Sequence, residues 1–253
     1  MLTVQVRFHG DLNDFLGRRD RQRPITVMIE HTPSVKDLIE SLGVPHPEVD
    51  IIIANGRSID WAYLVQDSDM IEVFPPGGTS PPGALIHLWP ELQPKARFIL
   101  DTHLGRLAGY LRMLGFDTLY RNDYHDQELA LISTTEDRIL LTRDRGLLKR
   151  GIVVRGYYVR ETTPRRQVLE ILGRYKATEQ IVPFRRCIRC NGLLRLAPKE
   201  EVYERLPPKT RHEFDEFRVC DTCGSIFWKG SHYAPMQEFV AFIRGHARNE
   251  RAS

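Results

Sequence analysis

"RFILDTHLGRLAGYLRMLGFDTLY", residues Arg97–Tyr120, runs from a short apolar stretch into an acid, then into a leucine pattern of longer period. "RFIL" fits a buried strand, and Asp101 follows its last residue directly. Leu104, Leu107, Ala108, Leu111 and Leu114 then recur at helical spacing, with Arg106 and Arg112 expected on the other side. Gly115 can end that helix, because glycine accepts the left-handed conformation that closes one. "DTLYRND" reads as the next strand.

The order then repeats. "HDQELALISTTED" is a helix that Asp126 can cap, with Glu128 in its first turn; "RILLTRD" is a strand ending at Asp144; "GLLKR" opens another helix, and "IVVRGYYV" is a fourth strand. Alternating strands and helices with short connections predict an α/β fold in which a parallel sheet is wrapped by helices. Such sheets bind ligands beyond the C-terminal ends of their strands. Asp101 and Asp144 are expected at that edge, and Asp126 begins a helix that follows an intervening strand. Carboxylates gathered there repel one another unless a counter-charge intervenes. A hard divalent cation, Mg²⁺ or Mn²⁺, relieves the repulsion and can activate a water. Arg106, Arg112, Arg143 and Arg145 are the expected grips on flanking phosphates. The plainer reading is that each aspartate only caps a helix, as aspartate often does.

Four prolines and three glycines in "FPPGGTSPPG", Phe74–Gly83, exclude helix and central strand and mark a boundary. Before it, "LTVQVRF" and "PITVMIE" alternate as half-buried strands do. "SVKDLIESLGV" is a helix with Ser34 as its cap and Gly43 at its end, and "NGR" offers a hairpin turn before the strands close with "MIEVFPP". A second shift lies near Pro183, so the expected segments are 1–78, a linker at 79–95, then 96–184 and 185–253. Residues 1–78 hold 7 Lys+Arg against 12 Asp+Glu, whereas the rest of the chain is net +8. A polyanion would therefore meet the later segments, and the acidic first segment could mask a basic site.

All four cysteines come late, as "CIRC" and "CDTC": Cys187, Cys190, Cys220 and Cys223. Two C-x-x-C pairs suit two knuckles closing tetrahedrally on Zn²⁺, a structural site because four thiolates leave no position open to water. Gly192 and Gly224 follow the pairs and are expected to help the backbone turn its amides toward sulfur. Arg185, Arg186, Arg189 and Arg195 alternate nearby with Phe184, Phe227, Trp228 and Tyr233, a mixture able to stack on single-stranded RNA or to fill a small core. No apolar run approaches the ~20 residues that cross a bilayer, and "MLTVQVRFHG" lacks the apolar centre of a signal peptide, so a cytoplasmic protein without membrane partners is expected.

The first segment, with its strand–strand–helix–strand–strand order and closing Gly77-Gly78, resembles the β-grasp, ubiquitin-like sulfur carriers of the ThiS and MoaD type. In those carriers the terminal glycine carries the reactive carboxylate, whereas here the chain continues, which implies docking rather than sulfur transfer unless it is cut. "FILDTHLGRLAGYLRMLGFDTLY" with "DQELALISTTEDRILLTRDRGLLKR" resembles the Mut-seven C-terminal RNase family, a branch of the PIN-like nucleases. That resemblance implies a PIN-like α/β/α domain and metal-dependent hydrolysis of RNA; single-stranded or structured RNA, tRNA or mRNA alike, is the expected substrate class. It implies Asp101, Asp126 and Asp144 as catalytic metal ligands with Glu128 as a neighbour. Related proteins often carry a second acid where this chain has Gly146, with Asp123 a conceivable replacement. "GSHYAPMQEFV" resembles the family's tail and brings His232 toward the site. The reading is a β-grasp domain, a PIN-like ribonuclease and a four-cysteine zinc ribbon; the alternatives are a non-catalytic RNA-binding protein and a sulfur-carrier-like protein.

Overall fold

The computed structural model describes residues 1–78, 82–83, 85–89 and 95–249. From the N-terminus the chain forms β1 (Leu2–Phe8), β2 (Ile25–Ile29), α1 (Val35–Ser41), β3 (Ile51–Ala54), β4 (Arg57–Ile59) and β5 (Met70–Phe74). Next come β6 (Arg97–Leu100), α2 (Gly105–Met113), β7 (Asp117–Leu119), α3 (Asp126–Thr135), β8 (Ile139–Thr142), α4 (Arg145–Leu148), β9 (Gly156–Tyr158) and α5 (Pro164–Arg174). The last third carries β10 (Leu194–Ala197), α6 (Lys199–Val202), α7 (Pro208–Glu213), β11 (Phe217–Cys220), β12 (Ile226–Trp228) and α8 (Tyr233–Asn249). These elements fall into two compact units, Met1–Leu92 with His125–Tyr158, and Gln93–Tyr124 with Val159–Ser253. Among the described residues no helix is long and apolar enough to cross a membrane.

In the first unit a mixed five-stranded sheet has the order β2-β1-β5-β3-β4, with β1 antiparallel to β2 and parallel to β5. This is the β-grasp arrangement expected of the first segment. Period-two alternation along β1 sends Val4, Val6 and Phe8 into the core, each exposed by 1% or less. There they meet Val35, Leu38 and Ile39 from α1. Ser34 caps α1 by accepting a bond from the Asp37 amide at 3.2 Å. Asn55 and Gly56 both take positive φ, 50° and 78°, which matches the twist of the β3–β4 hairpin.

Residues 125–158 pack with this β-grasp segment. Glu48, fully buried, accepts a 2.6 Å hydrogen bond from the amide of Tyr158 at the end of β9. His46 donates from Nε2 to the Val153 carbonyl at 2.7 Å, while its Nδ1 lies 2.6 Å from Glu40 Oε1. Lys149 Nζ donates to the Glu40 carbonyl at 2.6 Å. Buried polar groups cost stability unless paired, so these contacts fix the register of the packing as much as its strength. The described part of the expected linker behaves similarly: Ile86 N donates to Ser58 Oγ at 2.9 Å and Leu88 N to the Asp50 carbonyl at 2.7 Å. The rest of that linker includes residues outside those described.

In the second unit β6 and β7 pair in parallel, with Phe98 opposite Thr118. Phe98 is fully buried and meets Phe116 and Tyr175 edge-on, with centroids 5.7 and 6.1 Å apart. Gly115 ends α2 at φ +97°, and a Cβ there would fall 2.2 Å from the Val182 carbonyl oxygen, so two independent demands require glycine. The antiparallel sheet β10-β11-β12 closes over its own small core of Ala197, Val202, Leu206, Phe217 and Val219. In the first unit β8 and β9 pair in parallel, Leu141 opposite Tyr157, and β8 leads into α4 as β6 leads into α2. The α/β alternation expected from the leucine pattern is thereby present.

Three local expectations need correction. The strand before Asp144 closes two residues earlier, at Thr142, because Asp144 turns out to cap α4. His125, not Asp126, is the cap residue of α3, and Asp126 is the first helical residue. Arg112 is not on the outer side of α2 but buried, only 5% exposed.

Candidate functional site

The two cysteine knuckles bring four sulfur atoms within 4.8 Å of one another. Cys187 and Cys223 lie 3.7 Å apart, and Cys190 and Cys220 3.4 Å. The first knuckle folds back by a bond from Asn191 N to the Cys187 carbonyl, and the second by one from Gly224 N to the Cys220 carbonyl, both 2.9 Å. The two equivalent turns are made by different residues. Asn191 takes positive φ (73°) in the first and Gly224 (67°) in the second. Gly192 serves otherwise than expected: a Cβ on it would press to 2.8 Å from the Cys220 sulfur, so glycine there lets the knuckles meet.

Without a cation the sulfurs do not share one charge state. Burial is the main cause that pushes the Cys187 thiol up, and burial followed by contacts with neighbouring thiols pushes Cys190 up to about 12. The hydroxyl and amide of Ser225 hold Cys223 down at about 6. A tetrahedral soft-ligand site accepts a metal such as Zn²⁺, which would neutralise the thiolates together.

A network ties the first knuckle to the α/β body of its own unit. The Arg112 guanidinium donates to the carbonyls of Ile188 (3.2 Å) and Arg189 (2.9 Å) in the knuckle, and to those of Thr118 (2.9 Å) and Tyr120 (3.3 Å) around β7. Asn191 accepts from the Thr118 amide at 2.9 Å and donates to Asp117 at 2.8 Å. Arg112 thus spans knuckle and strand rather than facing a phosphate. The sequence reading missed Asn191 and Asp117 altogether; the one available signal was an asparagine directly after a C-x-x-C, where left-handed turns favour it.

The acids are held differently. Asp101, 7% exposed, follows β6 and accepts from its neighbour's amide, Thr102 N, at 2.5 Å. Asp144 Oδ1 caps α4, accepting from Gly146 N at 2.6 Å and Leu147 N at 3.3 Å. Asp126 lies in the first turn of α3 with Glu128, 3.9 Å from Arg150 Nη2. Asp126, Glu128 and Asp144 share a unit, yet among the described residues they do not form a cluster of ligand atoms like that of the cysteines. Asp123, the conceivable fourth ligand, is instead gripped by Arg121 in a two-point pair at 2.9 and 2.8 Å.

Of the four arginines expected to grip phosphate, Arg106 is exposed near the start of α2 and Arg143 is exposed next to Asp144. Arg145 reaches the β-grasp segment: it donates to the Phe15 carbonyl at 2.9 Å and lies over the rings of Phe15 and Tyr158, 5.1 and 5.6 Å from their centroids. Beyond the knuckles, Arg195 pairs with Glu201 and Asp221, and Arg186 with Asp117.

Residues 1–79 match the Mut7-C ubiquitin domain and residues 96–240 the Mut7-C RNAse domain. No curated protein matches the chain. Two solved structures resemble part of it: a putative molybdopterin converting factor subunit 1 from Pyrococcus furiosus, 22% identical with a TM-score of 0.24, and small archaeal modifier protein 1 of H. volcanii, 14% identical with a TM-score of 0.25. In each case the similarity covers 30% of this chain and 99% of the other. With the RNAse domain spanning more than half of its residues, the chain belongs to the Mut7-C RNAse family and carries the Mut7-C ubiquitin domain ahead of it.

Proposed function

We propose that the protein is a metal-dependent ribonuclease that hydrolyses RNA phosphodiester bonds. The observation that carries this reading is the position of Asp101, a nearly buried carboxylate immediately beyond the C-terminal end of the parallel strand β6, within a family of RNases. Asp101, Asp126, Asp144 and Glu128 are the residues that would hold a divalent cation such as Mg²⁺ or Mn²⁺. Their donor set fits, because carboxylate oxygens suit a hard ion, and Asp144 uses only Oδ1 for its cap. When bound, that ion supplies water activation and charge neutralisation at phosphorus. The chain's own part would be to present the carboxylates, with Arg106 and Arg143 as the side chains that would meet phosphate oxygens.

A second reading, an RNA-binding protein without catalysis, draws support from Gly146. No carboxylate stands there, and a Cβ would come 3.1 Å from Asp144 Oδ1. One experiment separates the two: cleavage of labelled RNA by zinc-loaded full-length protein with and without Mn²⁺, and by Asp101→Asn. The nuclease reading expects cleavage only with Mn²⁺, reduced about a hundredfold or more by Asp101→Asn. RNA bound but never cut under either condition would establish the second.

A further inference from the structure

The second unit contains two neighbouring cavities. One, about 710 Å³, lies between α2, α5 and α8, with Arg106, Tyr110, Arg165, His232 and Phe239 among its walls. The other, about 680 Å³, opens beside the zinc ribbon, with Phe184, Arg218, Phe227, Trp228, Lys229 and Tyr233 among its walls. Ile188, His232 and Met236 line both, so the two adjoin along these residues as a two-part trough. Among the described residues no acid lines the first cavity; Glu216 lines the second and is paired with Lys229. Arg106, Arg165, Arg218 and Lys229 are exposed, whereas Phe227, Trp228 and Tyr233 are half-buried, so cations stand at the mouth and rings lie deeper. Phe184 and Tyr233 stand 5.1 Å apart between centroids. At the other end Arg165 lies over Phe239, 5.8 Å from its centroid.

We infer that this trough is a track for single-stranded RNA, with bases stacked on the aromatic end beside the zinc ribbon and phosphates following Arg165 and Arg106 toward Asp101. The inference rests on the nuclease reading and names its substrate as unpaired RNA. Charge and shape select this occupant. A cationic mouth over π faces matches a chain with one phosphate per base, and a duplex would hide the base faces that the rings require. Arg106, on the wall of the first cavity, lies in the first turn of α2, five residues after Asp101 along the chain.

The test is fluorescence anisotropy with a labelled 2′-O-methyl single-stranded oligonucleotide, which reports binding whether or not cleavage occurs. Full-length zinc-loaded protein is compared with Arg165→Glu, Trp228→Ala and, on α7, Lys209→Glu. Arg165→Glu should weaken binding about tenfold and lower the salt dependence by about one ion, Trp228→Ala should weaken it about fivefold or more, and Lys209→Glu should stay within about twofold. A duplex of the same sequence should bind several-fold more weakly. Trp228 lies on β12 and packs on the ribbon core; if its variant loses zinc, Arg165→Glu on the exposed first turn of α5 still decides. Binding that ignores both trough variants overturns the track while leaving cleavage intact. Poly-glutamate bound as tightly, with the same loss in Trp228→Ala, would assign the trough to an acidic protein segment and also overturn it. Loss of Mn²⁺-dependent cleavage in wild type, with the binding pattern preserved, would overturn the nuclease reading and leave the track standing.

Discussion

The knuckles and the carboxylates of this chain differ in how far their ligand atoms are gathered. Four sulfurs are already gathered, and the first knuckle is tied to the body of the same unit by Arg112 of α2 and by the knuckle's own Asn191. The acids are held one by one: Asp144 accepts from cap amides, Asp101 from the Thr102 amide, and Asp126 lies near Arg150. Under the proposed function this contrast has a reason. A metal that holds a fold must find its ligands assembled, whereas a metal that serves a reaction is better bound by groups that remain satisfied when it leaves. In the first case the ion is part of the structure; in the second it is a reagent that exchanges.

The sharpest way to break this comparison is to remove a sulfur. Cys220→Ser should abolish stoichiometric zinc, measured by elemental analysis, and destabilise the second unit by several kcal/mol, on the order of 5 or more, in a denaturant melt. A chelator should do the same to wild type. Next comes the support behind the knuckle. Arg112→Met strands four carbonyl partners and should cost roughly 3–5 kcal/mol in the same melt, with weaker zinc retention. A normal zinc affinity in that variant would show that the knuckle stands alone. Acid gives a graded version. Zinc must displace the protons that burial favours on Cys187 and Cys190, so the apparent affinity falls as pH is lowered, by at least about a hundredfold per unit from those two protons. The Cys223 thiol, held near 6, adds a further proton only below that value. Competition with a chromophoric chelator across pH 5.5 to about 8 measures the slope. The smallest effect belongs to the carboxylates. Asp144→Asn can still cap α4 and should shift stability by less than ~1 kcal/mol while lowering Mn²⁺-dependent cleavage about a hundredfold. Cleavage and stability both left unchanged would mean that Asp144 is a cap and nothing more.

How much of this was legible depended on range. Period-two alternation at Val4, Val6 and Phe8, the Ser34 cap, the Asn55-Gly56 turn and the C-x-x-C spacing are local rules, and each is visible within a few residues of sequence. Arg112 was misplaced because periodicity reports the face of a helix but not what arrives against it. The carbonyls of Ile188 and Arg189 come from more than seventy residues away, and they make burial of a cation tolerable. The cap at His125 was missed for another reason. Aspartate serves both at the cap and in the first turn, and the helix begins one residue earlier than the more favourable cap would place it. The partition of residues 125–158 with the β-grasp segment left no local trace at all, since Glu48 and Tyr158 reveal their pairing only once both are folded.

That last pairing bears on how the chain can be taken apart. Glu48, His46 and the Glu40 carbonyl fasten the β-grasp segment to a stretch that begins at His125, so the proline- and glycine-rich run between them is no seam along which to cut. An expression fragment starting at Ala96 would bare the apolar underside of β9 and lose the acceptors for Tyr158 N and Lys149. Aggregation of such a fragment would reflect a missing partner rather than a defective enzyme.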